Sequence, residues 1–317
     1  MRVLLIGGNG FIGSHIADEF LRHELDVTVF DRYPEKYREP LPKVRFVRGE
    51  MGNRGALEPV IAGGIDVVVI LASSTLPHNN DPVFDVQSNL VETLAVLESC
   101  VKYKVRKVVF ASSGGTVYGI PQFLPIPEEH PTEPVCSYGI VKLAIENYLR
   151  LYSRFFGLQY VALRLSNPFG IRQDPLSAQG IVSVFTARIM QHQPLTVWGT
   201  GDIVRDYIHI RDVASIFYEA VCSETCGIFN IGSGVGVSIK ELITLISSHL
   251  NTEPTINWER PRDFDVPAII LDCEKARRSF SWEPKGSLTE GISEIAHWLR
   301  TDKVSADLKN SVAGSTK

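Results

Sequence analysis

Long apolar segments are missing from this sequence of 317 residues. A membrane-spanning helix needs about 20 apolar residues in a row, whereas the longest run here, 67–72, has the length of a strand. A signal-peptide pattern is also missing, because the short apolar run after Arg2 breaks at Gly7-Gly8. We therefore expect a cytoplasmic protein without a membrane partner.

Cysteine and excess positive charge are scarce as well. The five cysteines are scattered, and although Cys222 and Cys226 have CxxxC spacing, no His or second Cys pair is close enough to complete a zinc site. We expect reduced thiols and no bound metal. Because 32 Lys and Arg residues face 36 Asp and Glu residues, the net charge is −4, which argues against a nucleic-acid partner.

The sequence does contain a regular alternation of short apolar runs and longer amphipathic segments. It predicts buried strands at 3–6, 27–30, 44–47, 67–71, 105–112 and 160–165, and helices at 11–23, 56–62, 83–103 and 137–156. Runs rich in Val, Ile and Leu are typical of parallel strands covered on both faces. The rhythm predicts an α/β fold, a Rossmann-type doubly wound parallel sheet, with a smaller C-terminal region after residue 166.

A glycine-rich turn, Gly7-Gly8-Asn9-Gly10-Phe11-Ile12-Gly13, joins the first strand to the first helix. Glycines 7, 10 and 13 allow a tight turn, close approach of a pyrophosphate to backbone N–H groups, and close packing of helix on sheet. Asp31 ends the second strand and can accept hydrogen bonds from the ribose hydroxyls of an adenosine, which favours NAD. Arg32 could instead hold a 2′-phosphate, so NADP is the alternative.

A second motif places Tyr138 and Lys142 four residues apart on one face of a helix. An isolated phenol titrates at about 10. A nearby ammonium and the positive nicotinamide ring of NAD⁺ would lower that pKa and make the phenol a usable base. Ser112 and Ser113 end a buried strand, where doubly wound sheets bind their ligands. The order of these motifs, rather than any one of them, predicts proton transfer beside a nicotinamide.

In this order the motifs resemble the extended short-chain dehydrogenase/reductase family, and within it the nucleotide-sugar epimerases of the UDP-glucose 4-epimerase type. The resemblance runs from Met1 to about residue 300. It is also carried by Asn89 in the segment 88–93, the RxxNPxG turn at 164–170, the RDYIH segment at 205–209 with Asp212, the segment 230–234, and the stretch Arg262-Asp263-Phe264-Asp265 leading to Asp272.

The resemblance implies an isomerase that uses NAD to interconvert nucleotide-activated hexoses at carbon 4, by transient oxidation to a 4-keto sugar. The substrates implied are UDP-glucose and UDP-galactose or their N-acetyl forms. Tyr138 would exchange a proton with the sugar, Lys142 would hold the nicotinamide ribose, and Ser113 and Thr116 would face the sugar. The cofactor contacts implied are Gly7, Gly10, Phe11, Ile12, Gly13, Asp31, Arg32, Glu50, Met51, Leu71, Ala72, Ser73, Asn89, Ser112, Tyr138 and Lys142.

The substrate contacts implied are Asn167, Gln179, Gly180, Thr196, Trp198, Arg205, Arg262, Asp265 and Ile269. Arg205 and Arg262 would clamp the diphosphate. Ile269 would stand where a residue gates the 2-substituent of the sugar, and a β-branched side chain there predicts partial access for a 2-acetamido group. The alternative is that Ile269 belongs to the apolar run 268–271 and points into the core.

The resemblance also implies the division of the chain and its assembly. Residues 1–166 would form the NAD-binding domain, with 203–236 returning to it, and 167–302 would mainly bind the nucleotide sugar. Residues 303–317 would be a polar tail. The helices 83–103 and 137–156 resemble those that form a four-helix dimer interface in the family, so we expect a homodimer.

One departure bears on the reaction. Related dehydratases carry an Asp-Glu pair, and decarboxylases a Glu, where this chain has Gly115 and Thr116, which supply neither an acid nor a base. The substrate hydroxyl partner falls on Ser113 when counted from the strand but on Gly114 when counted back from Val117, and we take Ser113. The remaining alternatives are a 4-keto-sugar reductase using external NAD(P)H and a catalytically silent NAD-binding scaffold.

Overall fold

The computed structural model describes residues 1–75, 81–262 and 265–301. Its strands are β1 (Arg2–Ile6), β2 (Asp26–Asp31), β3 (Arg45–Arg48), β4 (Val67–Ile70), β5 (Lys107–Ser113), β6 (Gln159–Leu165), β7 (Asn167–Phe169), β8 (Leu195–Trp198), β9 (Val204–His209), β10 (Gly227–Ile231), β11 (Gly236–Ser238), β12 (Ile256–Glu259) and β13 (Ala268–Ile269). Its helices are α1 (Phe11–Arg22), α2 (Arg54–Ala62), α3 (Pro82–Asp85), α4 (Glu92–Lys102), α5 (Ser137–Phe156), α6 (Ile181–Met190), α7 (Ile210–Cys222), α8 (Ile239–Leu250), α9 (Glu274–Phe280) and α10 (Leu288–Leu299). Asp263, Phe264 and the predicted tail 303–317 lie outside the described residues.

Seven parallel strands form the main sheet, in the order β10-β6-β5-β4-β1-β2-β3. Every residue of β4 is buried, as expected for a strand in the middle of a sheet that helices cover on both faces. The strand order reverses between β1 and β4, and a ligand crevice opens at the carboxyl ends of strands at such a point. The structure confirms the predicted Rossmann-type doubly wound fold.

Two apolar cores lie on the two faces of this sheet. On one face, α1 and α7 pack on the strands through Phe20 and Phe217. On the other face, α2, α4 and α5 bury Val60, Leu97 and Ile145. The crevice is therefore held between two rigid layers.

The helix predicted at 83–103 has three parts in the structure. α3 begins at Pro82, where the side chain of Asp81 accepts a hydrogen bond from the Phe84 amide at 2.9 Å. A π-helical segment, Val86–Val91, then joins α3 to α4. The π-helical segment carries Ser88 and Asn89, which are both buried. The apolar spacing predicted a helix but not its wider turn.

The C-terminal half adds a smaller layer above the crevice. Its central strand, β9, pairs with β7, β11 and β13, while β8 pairs with β12. Helices α6, α8 and α10 enclose a third core. Of the segment 203–236, α7 and β10 pack with the main sheet, whereas β9 lies in the smaller one. Within the described ranges, no helix combines the length and apolarity needed to cross a membrane.

Candidate active site

The turn between β1 and α1 leaves no room for side chains at Gly7 and Gly13. Gly7 has a φ of +84°, and a Cβ there would lie 2.7 Å from the Ala72 nitrogen. A Cβ on Gly13 would lie 2.5 Å from the Gly7 oxygen. At Gly10 such a Cβ would lie 3.5 Å from the Gly7 carbonyl oxygen, an ordinary contact distance, so the described part of the chain does not itself exclude a side chain there. The N-terminus of a helix suits a pyrophosphate.

Asp31 lies beside this turn, at the end of β2. Its Oδ2 accepts a hydrogen bond from the Asn9 amide at 3.0 Å, and its Oδ1 accepts one from the Tyr33 amide at 3.2 Å. The Asn9 side chain donates to the Tyr33 carbonyl at 2.7 Å. These bonds hold the carboxylate where the adenosine ribose was predicted. Arg32 is exposed, with its guanidinium carbon 6.0 Å from the centre of the Tyr33 ring.

The loop after β4 contains the predicted cofactor residues Leu71, Ala72 and Ser73. Asn89 ties this loop to the π-helical segment: its Oδ1 accepts from the Ser74 amide at 2.9 Å, and its Nδ2 donates to Thr75 and Asp85, each at 2.9 Å. The buried side chain of Asn89 therefore supports the loop that carries these predicted cofactor residues.

The other predicted cofactor residues lie around the same crevice. Phe11 and Ile12 begin α1 and are half-buried. After β3, Glu50 is exposed and Met51 is buried in the core under α2.

Tyr138 and Lys142 lie one turn apart near the start of α5. Lys142 is 5% exposed, and its Nζ donates to the Ala111 carbonyl at 2.8 Å and lies 5.4 Å from the centre of the Tyr138 ring. Burial disfavours the ammonium and lowers the pKa of Lys142 to about 8. Burial raises the pKa of Tyr138, which is opposite to the lowering expected beside a nicotinamide. The protein alone does not activate the phenol.

The hydroxyls at the end of β5 have different surroundings. Ser112 is buried and its Oγ donates to Glu146 at 2.5 Å, so it faces α5. Ser113 is half-buried at the strand end. The Oγ1 of Thr116 is buried and has no hydrogen-bond partner among the residues that the structure describes. A buried hydroxyl without a protein partner is suited to contact a ligand.

Thr116 is brought toward Tyr138 by Gly139. A Cβ at position 139 would lie 2.6 Å from the Thr116 carbonyl oxygen, so only glycine lets the first turn of α5 approach this backbone. The close approach brings the backbone of Thr116 next to the turn of α5 that carries Tyr138 and Lys142.

The two predicted diphosphate arginines lie on the side of the smaller sheet. Arg205 on β9 donates through Nη1 to the Val204 and Val266 carbonyls at 2.9 and 2.8 Å. Arg262 donates two hydrogen bonds to Asp265, at 2.9 and 2.8 Å, and its guanidinium carbon lies 4.5 Å from the centre of the Trp198 ring. Asp265, a predicted substrate contact, is thus the ion-pair partner of Arg262.

The remaining predicted substrate residues are spread over the same layer. Asn167 begins β7, and its Nδ2 donates to the Asp206 carbonyl at 3.0 Å. Gly180, with a φ of +85°, immediately precedes α6 as its N-cap residue, and Gln179 before it is exposed. Thr196 is half-buried on β8.

Ile269 does not line open space. It is 1% exposed and packs in an apolar cluster with Val117, Ile126, Val266 and Leu271. This buried position agrees with the alternative prediction for Ile269, in which its side chain points into the core.

A buried polar network that joins α5 to β6 was not predicted from the sequence. Both carboxylate oxygens of Glu146 accept hydrogen bonds from Arg164, through Nε at 3.0 Å and Nη2 at 2.7 Å. Arg164 also donates to the Tyr118 hydroxyl at 2.7 Å, and that hydroxyl donates to Asn230 at 2.7 Å. The available signal was the spacing of Glu146, which follows Lys142 by four residues and shares its helix face.

The described residues fit NAD. The carboxylate of Asp31 after β2, the glycine turn after β1 and, beyond β5, the Thr116 hydroxyl without a partner in the described part of the chain follow one another along the carboxyl edge of the sheet. The ammonium of Lys142 lies at the same end as Thr116, where a nicotinamide ribose would be held.

Comparisons with known proteins agree with this geometry. Residues 3–232 match the model of the NAD dependent epimerase/dehydratase family. A putative UDP-glucose 4-epimerase of Methanocaldococcus jannaschii is 35% identical over 95% of this chain and 99% of its own length. A dTDP-4-dehydro-6-deoxyglucose reductase of Escherichia coli is 31% identical over 94% of this chain and 97% of its own. The crystal structure of UDP-glucose 4-epimerase from Thermotoga maritima with UDP-glucose has a TM-score of 0.90 and 33% identity, covering 95% of this chain and 99% of that one.

The chain belongs to the NAD dependent epimerase/dehydratase family. Within the family it is an enzyme, an NAD-dependent nucleotide-sugar 4-epimerase. The predicted family, activity and cofactor are confirmed.

Proposed function

We propose that this epimerase acts on UDP-hexoses, with Tyr138 as the proton-transfer group and Lys142 as the cation that holds the nicotinamide ribose. The observation that carries the proposal is the grouping of Tyr138, Lys142 and the free hydroxyl of Thr116 at one end of the crevice. When bound there, NAD would supply the hydride acceptor for carbon 4. The protein's own residues would orient the sugar and move the proton.

The roles of the hydroxyls follow from their surroundings. Thr116 Oγ1 would donate to or accept from the sugar, since this atom has no partner in the described part of the chain. Ser113 would lie beside it at the end of β5. Ser112 would support the site indirectly, because its hydroxyl is engaged by Glu146.

Two arginines would bind the diphosphate. Arg205 keeps N–H groups beyond the Nη1 that holds the backbone, and a partly buried guanidinium is well suited to a phosphate. Arg262 would exchange its pairing with Asp265 for the phosphate, while Trp198 keeps its guanidinium in place.

The substrate can be tested with the purified protein and a panel of UDP- and dTDP-sugars, without added cofactor. The proposal predicts interconversion of UDP-glucose and UDP-galactose, with dTDP-sugars turned over more slowly. A preference for dTDP-hexoses would contradict the UDP assignment.

A 4-keto-sugar reductase is the second candidate, favoured by the similarity to the reductase of Escherichia coli. The two candidates differ in cofactor use, because a reductase consumes one external NAD(P)H per turnover and an epimerase consumes none. Oxidation of added NADPH by a 4-keto sugar nucleotide, in step with product formation, would favour the reductase.

We also propose that two copies of the chain pair through α3, the π-helical segment and α5. The support is an apolar face exposed there, with Val83 65%, Ile140 55% and Phe155 67% exposed. Ile140, Leu151 and Phe155 follow helical spacing along one side of α5, as in an amphipathic interface.

Light scattering should give twice the chain mass for the native protein and a lower mass for Phe155→Glu. Val235→Glu, at an exposed valine elsewhere, is the matched control.

We place the enzyme in the cytoplasm. All five cysteines are free thiols in the structure, as expected in a reducing compartment.

A further inference from the structure

A buried ion pair lies directly behind the catalytic lysine. Glu146 is one turn after Lys142 on α5 and is 1% exposed, and Arg164 comes from β6, the neighbour of β5. A Lys and a Glu at this spacing on a helix ordinarily pair with each other. Here the carboxylate of Glu146 is taken up by Arg164 and by the Ser112 hydroxyl instead.

This arrangement leaves the Lys142 ammonium on a backbone carbonyl. Its Nζ donates to Ala111 at 2.8 Å, and it lies 4.6 Å from the centre of the Phe110 ring. Ala111 and Ser112 are neighbours on β5, so the strand binds Lys142 at one residue and Glu146 at the next. The two side chains of the helix are thus held apart by consecutive residues of the strand.

We propose that Arg164 and Glu146 are positioning residues for Lys142, because Arg164 occupies the Glu146 carboxylate and thereby keeps the Lys142 ammonium on Ala111, beside Tyr138. The inference rests on the proposed roles of Lys142 and Tyr138. Without Arg164, the nearest strong acceptor for the ammonium would be the freed carboxylate one turn away, on the side of Lys142 that faces away from Tyr138 along α5.

Because charged groups face Lys142, the proposed positioning can be measured as a change in the Lys142 pKa. Asp85 and Glu146 both stabilise its ammonium, Tyr138 lies on the same face, and Arg164 is the ion-pair partner of Glu146. Removing the charge of Arg164 exposes Lys142 to an unpaired carboxylate and should raise the Lys142 pKa. Removing the charge of Glu146 should lower it. Opposite charges at short range shift a pKa by about 1–3 units, so changes of about one unit are expected.

The test compares Arg164→Met, Glu146→Gln and the double variant, with Arg54→Met as the matched control. Arg54 belongs to an exposed pair with Glu98, far along the chain from the network. The first measurement is an NMR titration of the lysine ε-methylene groups in the full chain, with Lys142 assigned by its loss in Lys142→Arg. The second is the pH dependence of kcat for UDP-glucose epimerisation.

The expected pattern is a Lys142 pKa above about 8 in Arg164→Met, below it in Glu146→Gln and in the double variant, which both lack the carboxylate, and close to the native value in Arg54→Met. The kcat of Arg164→Met should fall by about 10-fold or more, and the added Glu146→Gln should restore part of it. An unchanged Lys142 pKa in folded single variants, or a double variant no better than Arg164→Met, would overturn the inference.

Two safeguards keep the test decisive. If Arg164→Met does not fold, Arg164→Lys keeps the charge but loses the two-pronged contact, and should give a smaller shift in the same direction. The NMR titration does not depend on turnover. If the native protein shows the titration pattern but does not epimerise UDP-glucose, the proposed substrate is wrong and the positioning role stands.

Discussion

Tyr138 is the residue on which the proposed chemistry depends most. In the protein without cofactor, burial raises the pKa of its phenol. The nearby ammonium of Lys142 and the bound cofactor together would lower that pKa again. The spacing of the two residues was readable from the sequence. The pairing of Glu146 with Arg164 was not, because it joins α5 to β6 across the sheet and no local pattern records such a contact.

Tyr138→Phe should lower kcat by about 10²–10⁴-fold and leave the bound NAD in place, since only the proton-transfer group is removed. Steady-state kinetics and acid extraction of the cofactor measure the two effects. Tyr148→Phe, on the outer side of the same helix, should behave as the native protein. A Tyr138→Phe enzyme with native turnover would refute the assignment.

The pKa of Lys142 predicts that activity declines at alkaline pH, which forms the alkaline limb of the pH profile. With a pKa of about 8, its ammonium is present below that pH and lost above it, so kcat should decline as the pH rises through about 8. Lys142→Arg stays charged, and its residual activity should lack this limb. The same limb in both enzymes would assign it to another group.

At the scale of elements, sequence periodicity predicted the β/α order because each buried strand is short, continuous and apolar. β3 lies one residue later than the run at 44–47, and β5 ends at Ser113 rather than at 112. The π-helical segment was not predictable, since its residues have ordinary helical spacing. The strands β7, β9 and β13 were also not predicted, because their pairing is set by contacts distant in sequence rather than by local apolar runs.

Substitutions in the turn from β1 to α1 should distinguish a glycine needed for folding from a glycine needed for ligand binding. Gly10→Ala should keep the native Tm but weaken NAD binding, because an added Cβ would lie at an ordinary contact distance, 3.5 Å, from the Gly7 carbonyl oxygen but would occupy space that an approaching pyrophosphate needs. Gly13→Ala should lower the Tm as well, because its Cβ would collide with the Gly7 carbonyl. Thermal melts and NAD titrations check both. Native NAD affinity in Gly10→Ala would show that no pyrophosphate approaches there.

At the scale of the whole molecule, a charged cluster joins the cofactor side to the C-terminal layer. His15 on α1 is buried, with its Nε2 2.9 Å from the Ile171 carbonyl oxygen. Arg172 pairs with Asp18 at 2.7 Å and lies 3.4 Å from Glu35. Burial and the charge of Arg172 lower the pKa of His15 to about 3.

This shift predicts a loss of stability in acid. Between about pH 6.5, where an unfolded His is protonated, and about pH 3, only the unfolded state binds the proton, so the free energy of unfolding falls as the pH falls. Between pH 6.5 and 4, the Tm of the His15→Gln variant should decrease less steeply than the Tm of the native protein. The Tm of His192→Gln, a substitution in the turn after α6, should decrease as in the native protein. Equal slopes in all three would contradict the buried neutral His15.

The measurement that tests the account most directly is the conversion of UDP-glucose carrying deuterium at carbon 4, with no cofactor added. The account predicts UDP-galactose that keeps the deuterium at carbon 4, because the hydride removed from the sugar is returned to it within one active site. Mass spectrometry and proton NMR of the product give the label and its position. Loss of the label to solvent, or no conversion until NAD(P)H and a 4-keto sugar are supplied, would contradict it.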